Sequence, residues 1–136
     1  MTDTTLKPDN LATTVDTHLE AYCEPDAARR ASLIASVWAA DGEIVDPPID
    51  GRGHDGIAAL VDVLLELYPD HRFGRTTEID AHHDYARYGW ALVAPDGSNA
   101  MMGTDVARFD ANGKLTAVVG FIGDLAPRGG SSDTGG

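Results

Sequence analysis

Met101-Met-Gly-Thr-Asp-Val-Ala-Arg-Phe-Asp-Ala-Asn-Gly-Lys-Leu-Thr-Ala-Val-Val-Gly-Phe-Ile-Gly-Asp124 decides the fold, because it reads as a β-hairpin. Asp110-Ala-Asn-Gly113 supplies the turn, and Asn-Gly is the pair that most readily accepts positive φ. The flanks are rich in Val, Phe, Ile and Thr, which pack well on a pleated surface. A period of two sets Met101, Gly103, Asp105, Ala107 and Phe109 on one face of the first strand. The carboxyl of Asp105 therefore stands among apolar neighbours. On the second strand Leu115, Val119 and Phe121 share one parity while Val118 and Ile122 take the other, so both faces are apolar. Such a strand is expected to be covered on both sides, by helices on one and by a second subunit on the other.

The 136 residues make one domain, long enough to bury a real core. A hydrophobic fraction of 43% is ordinary for a globular chain. The formal charge of −12 disfavours a nucleic-acid partner, and the ten Lys and Arg residues are scattered and form no basic stripe. Cys23 is the single cysteine, so no intrachain disulfide can form and a reducing compartment is expected. No apolar run approaches the length of a membrane span, and Met1–Asn10 lacks the apolar core of a secretion signal. The expectation is a cytoplasmic protein without a membrane partner.

Residues 1–9 read as a flexible N-terminus, 10–126 as the domain and 127–136 as a disordered Gly/Ser tail. A first helix begins near Asp9 or Asn10, either of which can cap it. Leu11, Val15, His18, Leu19 and Tyr22 fall on one helical face, with Tyr22 its last inward residue. Glu24-Pro-Asp26 stops that helix and caps a second, whose inward face is Leu33, Ile34, Val37 and Trp38 and whose end is set at Gly42. Glu43–Asp46 is a short extended run, and the proline after Asp46 restricts its backbone. A third helix follows, with Ile57, Leu60, Val61, Leu64 and Tyr68 inward and Pro69 as its stop. Only strands come after it, over about 72–83, 86–95, 100–110 and 114–123, turned at His82-His-Asp84 and Asp96-Gly97. Helices first and an antiparallel meander afterwards give an α+β domain with three helices on one concave sheet face.

Gly51-Arg-Gly-His-Asp-Gly56 matches the dinucleotide pattern G-x-G-x-x-G, but Pro47 and Pro48 break the preceding strand and no parallel βαβ unit surrounds it. It reads instead as a glycine-rich start to a helix. His54, His71, His82 and His83 lack ligand spacing, and adjacent strand histidines point to opposite faces, so no metal is expected. His83 shares strand parity with Phe73 and Ile79 and is expected to face inward. His18 lies one turn from Tyr22, and a hydrogen-bonded core histidine is the plainer reading of both. No serine elbow or cysteine–base pair points to nucleophilic catalysis.

Tyr22, Asp46 and Asp105 remain, each from a different element and each expected to face the interior. Taken one by one they have plain explanations: a core tyrosine, a loop carboxylate before proline, and a carboxylate turned outward by a bulge. Two carboxyls in an apolar cavity are nevertheless costly unless one is protonated or paired.

Ala39-Ala-Asp-Gly-Glu-Ile-Val-Asp-Pro47 and Asp105-Val-Ala-Arg-Phe-Asp-Ala-Asn-Gly-Lys-Leu115 link the three. The first resembles the acidic turn, short strand and Asp-Pro of the nuclear-transport-factor-2-like (SnoaL-like) superfamily. The second resembles its strand–turn–strand motif, and the likeness, covering most of residues 10–124, is to the bacterial ketosteroid isomerase branch. Laid against those isomerases, Tyr22 falls on the catalytic tyrosine, Asp46 on the proton-carrying aspartate and Asp105 on the protonated oxyanion-hole aspartate. Trp38 and Val61 stand nearest the positions where that family carries supporting tyrosines.

The resemblance implies a cone-shaped fold of three helices on a curved, mostly antiparallel sheet, and a homodimer joined through the sheet's outer face. It also implies a cofactor-independent isomerase that moves a double bond in a β,γ-unsaturated ketone, the substrate being a small hydrophobic or steroid-like molecule. Asp46 is then the proton shuttle, with Tyr22 and a neutral Asp105 donating to the enolate oxygen. The separation of two aspartate pKa values by environment is a known property of those isomerases and comes with the resemblance. Trp38, Val61, Trp90, Met101 and Phe121 are expected to line the substrate pocket. A polyketide cyclase or dehydratase using Asp105 as acid and base, or a non-catalytic binder of a hydrophobic small molecule, are the alternatives the same motifs allow.

Overall fold

The computed structural model describes residues 8–47 and 49–129. The terminal segments 1–7 and 130–136, and Pro48, lie outside the described residues. Three helices and seven strands follow in chain order: α1 (Pro8–Ala21), α2 (Ala27–Val37), β1 (Trp38–Asp46), β2 (Ile49–Arg52), α3 (Gly53–Leu67), β3 (Arg72–Arg75), β4 (Asp80–His82), β5 (Tyr85–Val93), β6 (Asn99–Phe109) and β7 (Leu115–Ile122). The strands form one curved sheet in the order β2-β1-β7-β6-β5-β3, with β4 also pairing β5. Every pairing is antiparallel except that of β1 with β7. No helix among the described residues is long and apolar enough to cross a membrane.

The β6–β7 hairpin forms around Asp110, whose carboxylate accepts the N–H groups of Asn112 and Lys114, both at 2.9 Å. Only Gly113 of the Asn-Gly pair takes a positive φ, at 79°. The expected parity of β7 does not hold along its length. Arg108 pairs Ala117 while Phe109 pairs Leu115, which leaves Thr116 as an extra residue, and its hydroxyl donates to Arg108 O at 3.1 Å. This bulge inverts the strand after it. Leu115, Val118 and Gly120 face the core, whereas Val119 and Phe121 face outward, Phe121 at 58% exposure.

Gly42 does not end the second helix. That helix stops at Val37, because Trp38 is already extended (φ −101°, ψ 138°) and begins β1. The close approach explains the glycine: a Cβ on Gly42 would lie 2.4 Å from Cε3 of Trp38, whose indole is folded against it. The expected strand 72–83 is two strands, since Thr77 Oγ1 takes the Gly89 N–H at 2.9 Å in place of a ladder bond. His83 turns outward because it sits in the β4–β5 turn at φ 53°, a left-handed conformation. The rings of His82 and His83 consequently meet, with their Nδ1 atoms 3.1 Å apart, and do not point to opposite faces.

Asp26 caps α2 by accepting the Arg29 N–H at 3.2 Å, an interaction worth about 1 kcal/mol. Arg30 is buried and ties α2 to its neighbours, donating to Glu24 O at 3.1 Å and to Asp62 of α3 at 2.6 Å. The Cys23 sulfur accepts the Phe73 N–H at 3.0 Å and so joins the end of α1 to β3. The core row Ala86–Ala107–Val118–Ile44 runs straight across β5, β6, β7 and β1 on the helix-covered face. On the reverse face the row Val106–Val119–Val45 is exposed, with Phe121 and Met102 near it. A single chain leaves that apolar surface uncovered.

Candidate active site

One residue pair further along the strands, the core row gives way to polar groups. Tyr88 of β5 pairs Asp105 of β6, and Asp105 pairs Gly120 of β7. On the far side of Gly120 comes Asp46, the last residue of β1 after Val45, which pairs Val119. Strand alternation carries all of these to the helix-covered side of the sheet. Gly120 is the spacer that lets two carboxyls meet there. A Cβ built on it would lie 2.9 Å from Asp105 Oδ1, 2.9 Å from Asp46 Cγ and 3.0 Å from Asp46 Oδ2.

The next row is Trp90–Gly103–Ile122. Here too a glycine makes room, since a Cβ on Gly103 would come within 2.6 Å of the Trp90 indole. Tyr22 arrives from the other layer, one residue past the end of α1. An edge-to-face chain of rings fixes it: Trp38 to His18 at 5.4 Å, His18 to Tyr22 at 4.7 Å, Tyr22 to Phe73 at 5.5 Å and Phe73 to Trp90 at 5.7 Å. Such pairs each add about 0.5–1.5 kcal/mol beyond the area they bury and leave little freedom to the rings.

These side chains border a cavity of about 90 Å³. Tyr22, Asp46 and Asp105 lie on it, and its walls are apolar, with Leu60, Leu64, Leu92, Met101 and Ile122 among them. The structure therefore brings Tyr22, Asp46 and Asp105 to one space, which Trp90 and Met101 also line. The other expected lining residues do not reach it. Trp38 and Val61 are packed in the core at 1% and 0% exposure, and the bulge in β7 sends Phe121 outside and puts Ile122 in its place.

Burial controls the electrostatics. It pushes the Asp105 carboxyl up to about 7; Tyr88 pulls that value down, the Asp46 charge pushes it up, and Trp90 pulls it down again. The Asp46 carboxyl is raised from the ordinary carboxylate value, also by burial. Tyr22 is held well above the usual phenol value by burial and then by the charges of Asp105 and Asp46, so it is a neutral O–H donor. Burial drops His18 to about 3, which keeps its imidazole uncharged. Tyr22 Oη and Asp46 Oδ1 are buried and complete no hydrogen bond within the protein, while the buried Tyr88 Oη and Trp90 Nε1 have no partner besides Asp105. A buried polar group without a partner costs roughly 1–3 kcal/mol, and the Tyr22 hydroxyl and Asp46 Oδ1 beside the cavity describe a site built to meet something else.

Tyr88 and Gly120 were not anticipated from the sequence. The alternation Ala86-x-Tyr88-x-Trp90 carried a signal for an inward tyrosine, but only the strand register sets it opposite Asp105. The glycine-rich segment 51–56 is not a nucleotide loop: β2 runs antiparallel to β1, and Gly51 packs so closely on Gly56 that a Cβ on Gly51 would lie 2.9 Å from Gly56 O. His54 bonds Trp38 O at 2.9 Å. Among the described residues no group of three or more His, Cys, Asp and Glu side chains could hold a metal ion.

No family model and no curated protein sequence matches the chain. Solved structures do. A provisionally named isomerase of the SnoaL-like family from Agrobacterium tumefaciens is 34% identical, with 85% of this chain and 99% of that one covered at a TM-score of 0.80. An NTF2-like protein of unknown function from an Exiguobacterium species is 21% identical, over 82% of this chain and 99% of that one, at 0.62. A protein with a ketosteroid isomerase-like fold from Catenulispora acidiphila, solved with trimethylamine, is 13% identical, over 79% and 83%, at 0.64. The last two likenesses are of fold alone.

Proposed function

The chain belongs to the SnoaL-like family of the nuclear-transport-factor-2-like superfamily, and on that premise we propose that it is an isomerase moving a double bond in a β,γ-unsaturated ketone without a cofactor. The family's fold hosts more than one reaction, so the reading stands on the site. The observation that carries it is the meeting of Asp46 and Asp105 over Gly120, beside a buried Tyr22 hydroxyl that has no partner.

In this reading Asp46 is the base. Its buried Oδ1 has no donor to satisfy it, and its raised pKa makes it a better proton acceptor than an ordinary carboxylate. It takes a proton from the carbon between the carbonyl and the double bond, and the electron pair moves onto the ketone oxygen. The Tyr22 hydroxyl and the protonated Asp105 donate to that oxygen as its charge develops, in a cavity with mostly apolar walls. Asp46 then returns the proton to the far carbon of the dienolate, and the double bond ends conjugated with the carbonyl. No atoms or electrons are gained or lost.

A cavity of about 90 Å³ lies below the roughly 300–1,000 Å³ of sites that engulf a drug-sized ligand. In this reading one ring of the substrate enters it, and any further rings extend past exposed lining residues such as Leu67. The test is direct. Purified protein mixed with cyclohex-3-enone, and separately with 5-androstene-3,17-dione, is expected to generate conjugated-enone absorbance with at least one of the two. A rate no greater than that of buffer with both ketones contradicts the isomerase reading.

A further inference from the structure

Asp105 can serve as a donor only if its single acidic proton points into the cavity. A neutral carboxyl has one O–H and one carbonyl oxygen, and nothing intrinsic decides which oxygen carries the proton. Its surroundings must decide. Oδ1 sits over Gly120, on the side where Asp46 and the cavity lie. The opposite flank is β5, which turns two donors inward on successive same-face positions. Tyr88 stands directly across the ladder from Asp105, and Trp90 stands across from Gly103, its indole lying over that glycine. Both are buried, at 2% and 3% exposure, and neither the hydroxyl nor the indole N–H has another partner.

We propose that Tyr88 and Trp90 are positioning residues that donate to the β5-side oxygen of Asp105 and thereby keep its proton on the oxygen facing the cavity. The inference rests on the reading of Asp105 as an oxyanion donor, and it assigns the work of orienting that donor to a strand the trio does not include. Two donors aimed at one carboxyl oxygen leave it able to act only as an acceptor. The proton is then confined to Oδ1, within reach of the substrate oxygen and of the Tyr22 side of the cavity. The same contacts favour the ionised carboxylate, which accounts for their downward pull on a group that burial drives up. Tyr88 is itself pushed well above the usual phenol value, first by burial and then by the Asp105 charge, so it donates throughout the working range. Among the described residues the ionisable groups facing Asp105 are Asp46 from β1, Tyr22 beyond α1 and Tyr88 from β5, while β7 contributes the uncharged Gly120.

The test is an infrared pH titration of the protonated-carboxyl C=O band, assigned to Asp105 by its loss in Asp105→Asn, in the wild type, Tyr88→Phe and Trp90→Phe. The wild-type band is expected to disappear with a midpoint near 7. In Tyr88→Phe the midpoint is expected to rise by about one pH unit, because a donor to the carboxylate is gone. The C=O frequency also rises, because the carbonyl oxygen has lost a hydrogen bond. Trp90→Phe should move both in the same direction by less. Turnover measured alongside falls in kcat with little change in KM, and its alkaline limb follows the new midpoint. Midpoint and frequency both unchanged in a folded Tyr88→Phe protein overturn the proposal; Tyr88→Phe deletes one oxygen and decides the matter even where Trp90→Phe does not fold. Absence of turnover in the wild type removes the isomerase reading, and the titration still tells whether β5 orients Asp105.

Discussion

Asp46→Asn is expected to lower turnover by about 10⁴-fold while leaving the fold intact. The amide keeps the shape of the carboxyl and still fits above Gly120, where Asp46 Cγ would stand 2.9 Å from an added Cβ. It cannot accept a proton from carbon, and among the described residues no other ionised carboxylate reaches the cavity at the pH where Asp105 is protonated. Both halves of the reaction pass through Asp46, so the loss falls on removal and on return of the proton alike. Stability should not fall. Asp46 is half-buried and its charge is penalised by that burial, so a neutral side chain relieves a cost. Steady-state absorbance kinetics with a thermal melt checks both parts. A variant that melts at or above the wild-type temperature and still turns over at more than about a tenth of the wild-type rate contradicts the assignment of the base.

Asp105→Leu is expected to cost about 10²–10³-fold in kcat, the usual consequence of removing one oxyanion donor. Asp105→Asn retains an N–H and should lose less. The two also differ in their dependence on pH. The donating form of Asp105 is the protonated one, so wild-type activity is expected to decline as pH rises through about 7, whereas Asp105→Asn shows no decline there. Stability carries the same signature. The folded protein holds this proton up to about pH 7 and the unfolded chain releases it near 3.8. Between those values the folded state binds more protons, so the contribution is complete below about 3.8 and is lost as pH rises through about 7. Roughly three pH units at about 1.36 kcal/mol each put the loss on the order of 4 kcal/mol.

His18 runs the other way. Its folded value is lowered from 6.5 to about 3, so its contribution is present above 6.5 and is lost as pH falls through about 3. The two slopes oppose each other over the range they share, so the wild-type stability is expected to change little there. Asp105→Asn removes one slope and exposes the other. Chemical denaturation between pH 4 and 6.5 should find Asp105→Asn gaining stability with rising pH, relative to a wild type that gains less.

How much of this was legible beforehand depended on the kind of information each feature needs. The hairpin could be read because Asp110-Ala-Asn-Gly113 and the alternation around it are local, and the helical faces carrying Leu11 to Leu19 and Ile57 to Val61 could be read for the same reason. The end of α2 could not. Nothing at Trp38-Ala-Ala40 breaks a helix, and the extended conformation there is imposed by pairing with β7, a contact across more than seventy residues. The bulge at Thr116 was equally hidden, and with it the outward turn of Phe121 and the inward one of Ile122. His83 was misjudged because parity counting assumes an unbroken strand, whereas the chain turns at that residue.

In the site, spacing alone gave no reason for Tyr22, Asp46 and Asp105 to meet; a family resemblance suggested it. The sheet supplies the physical cause, a single cross-strand row that runs Tyr88, Asp105, Gly120 and then Asp46. Two glycines that seemed unremarkable along the chain prove to make room in neighbouring rows, Gly120 for two carboxyls and Gly103 for the Trp90 indole. A residue that acts by having no side chain leaves no pattern in sequence.

A crystal structure of the protein with phenol bound, a planar mimic of the enolate, tests the central claim most directly. The account predicts the phenol oxygen within about 3 Å of both Tyr22 Oη and the Asp105 carboxyl, with the ring in the apolar cavity beside Asp46. A phenol that enters the cavity with its oxygen touching neither group, or that binds only outside it, contradicts the shared oxyanion site.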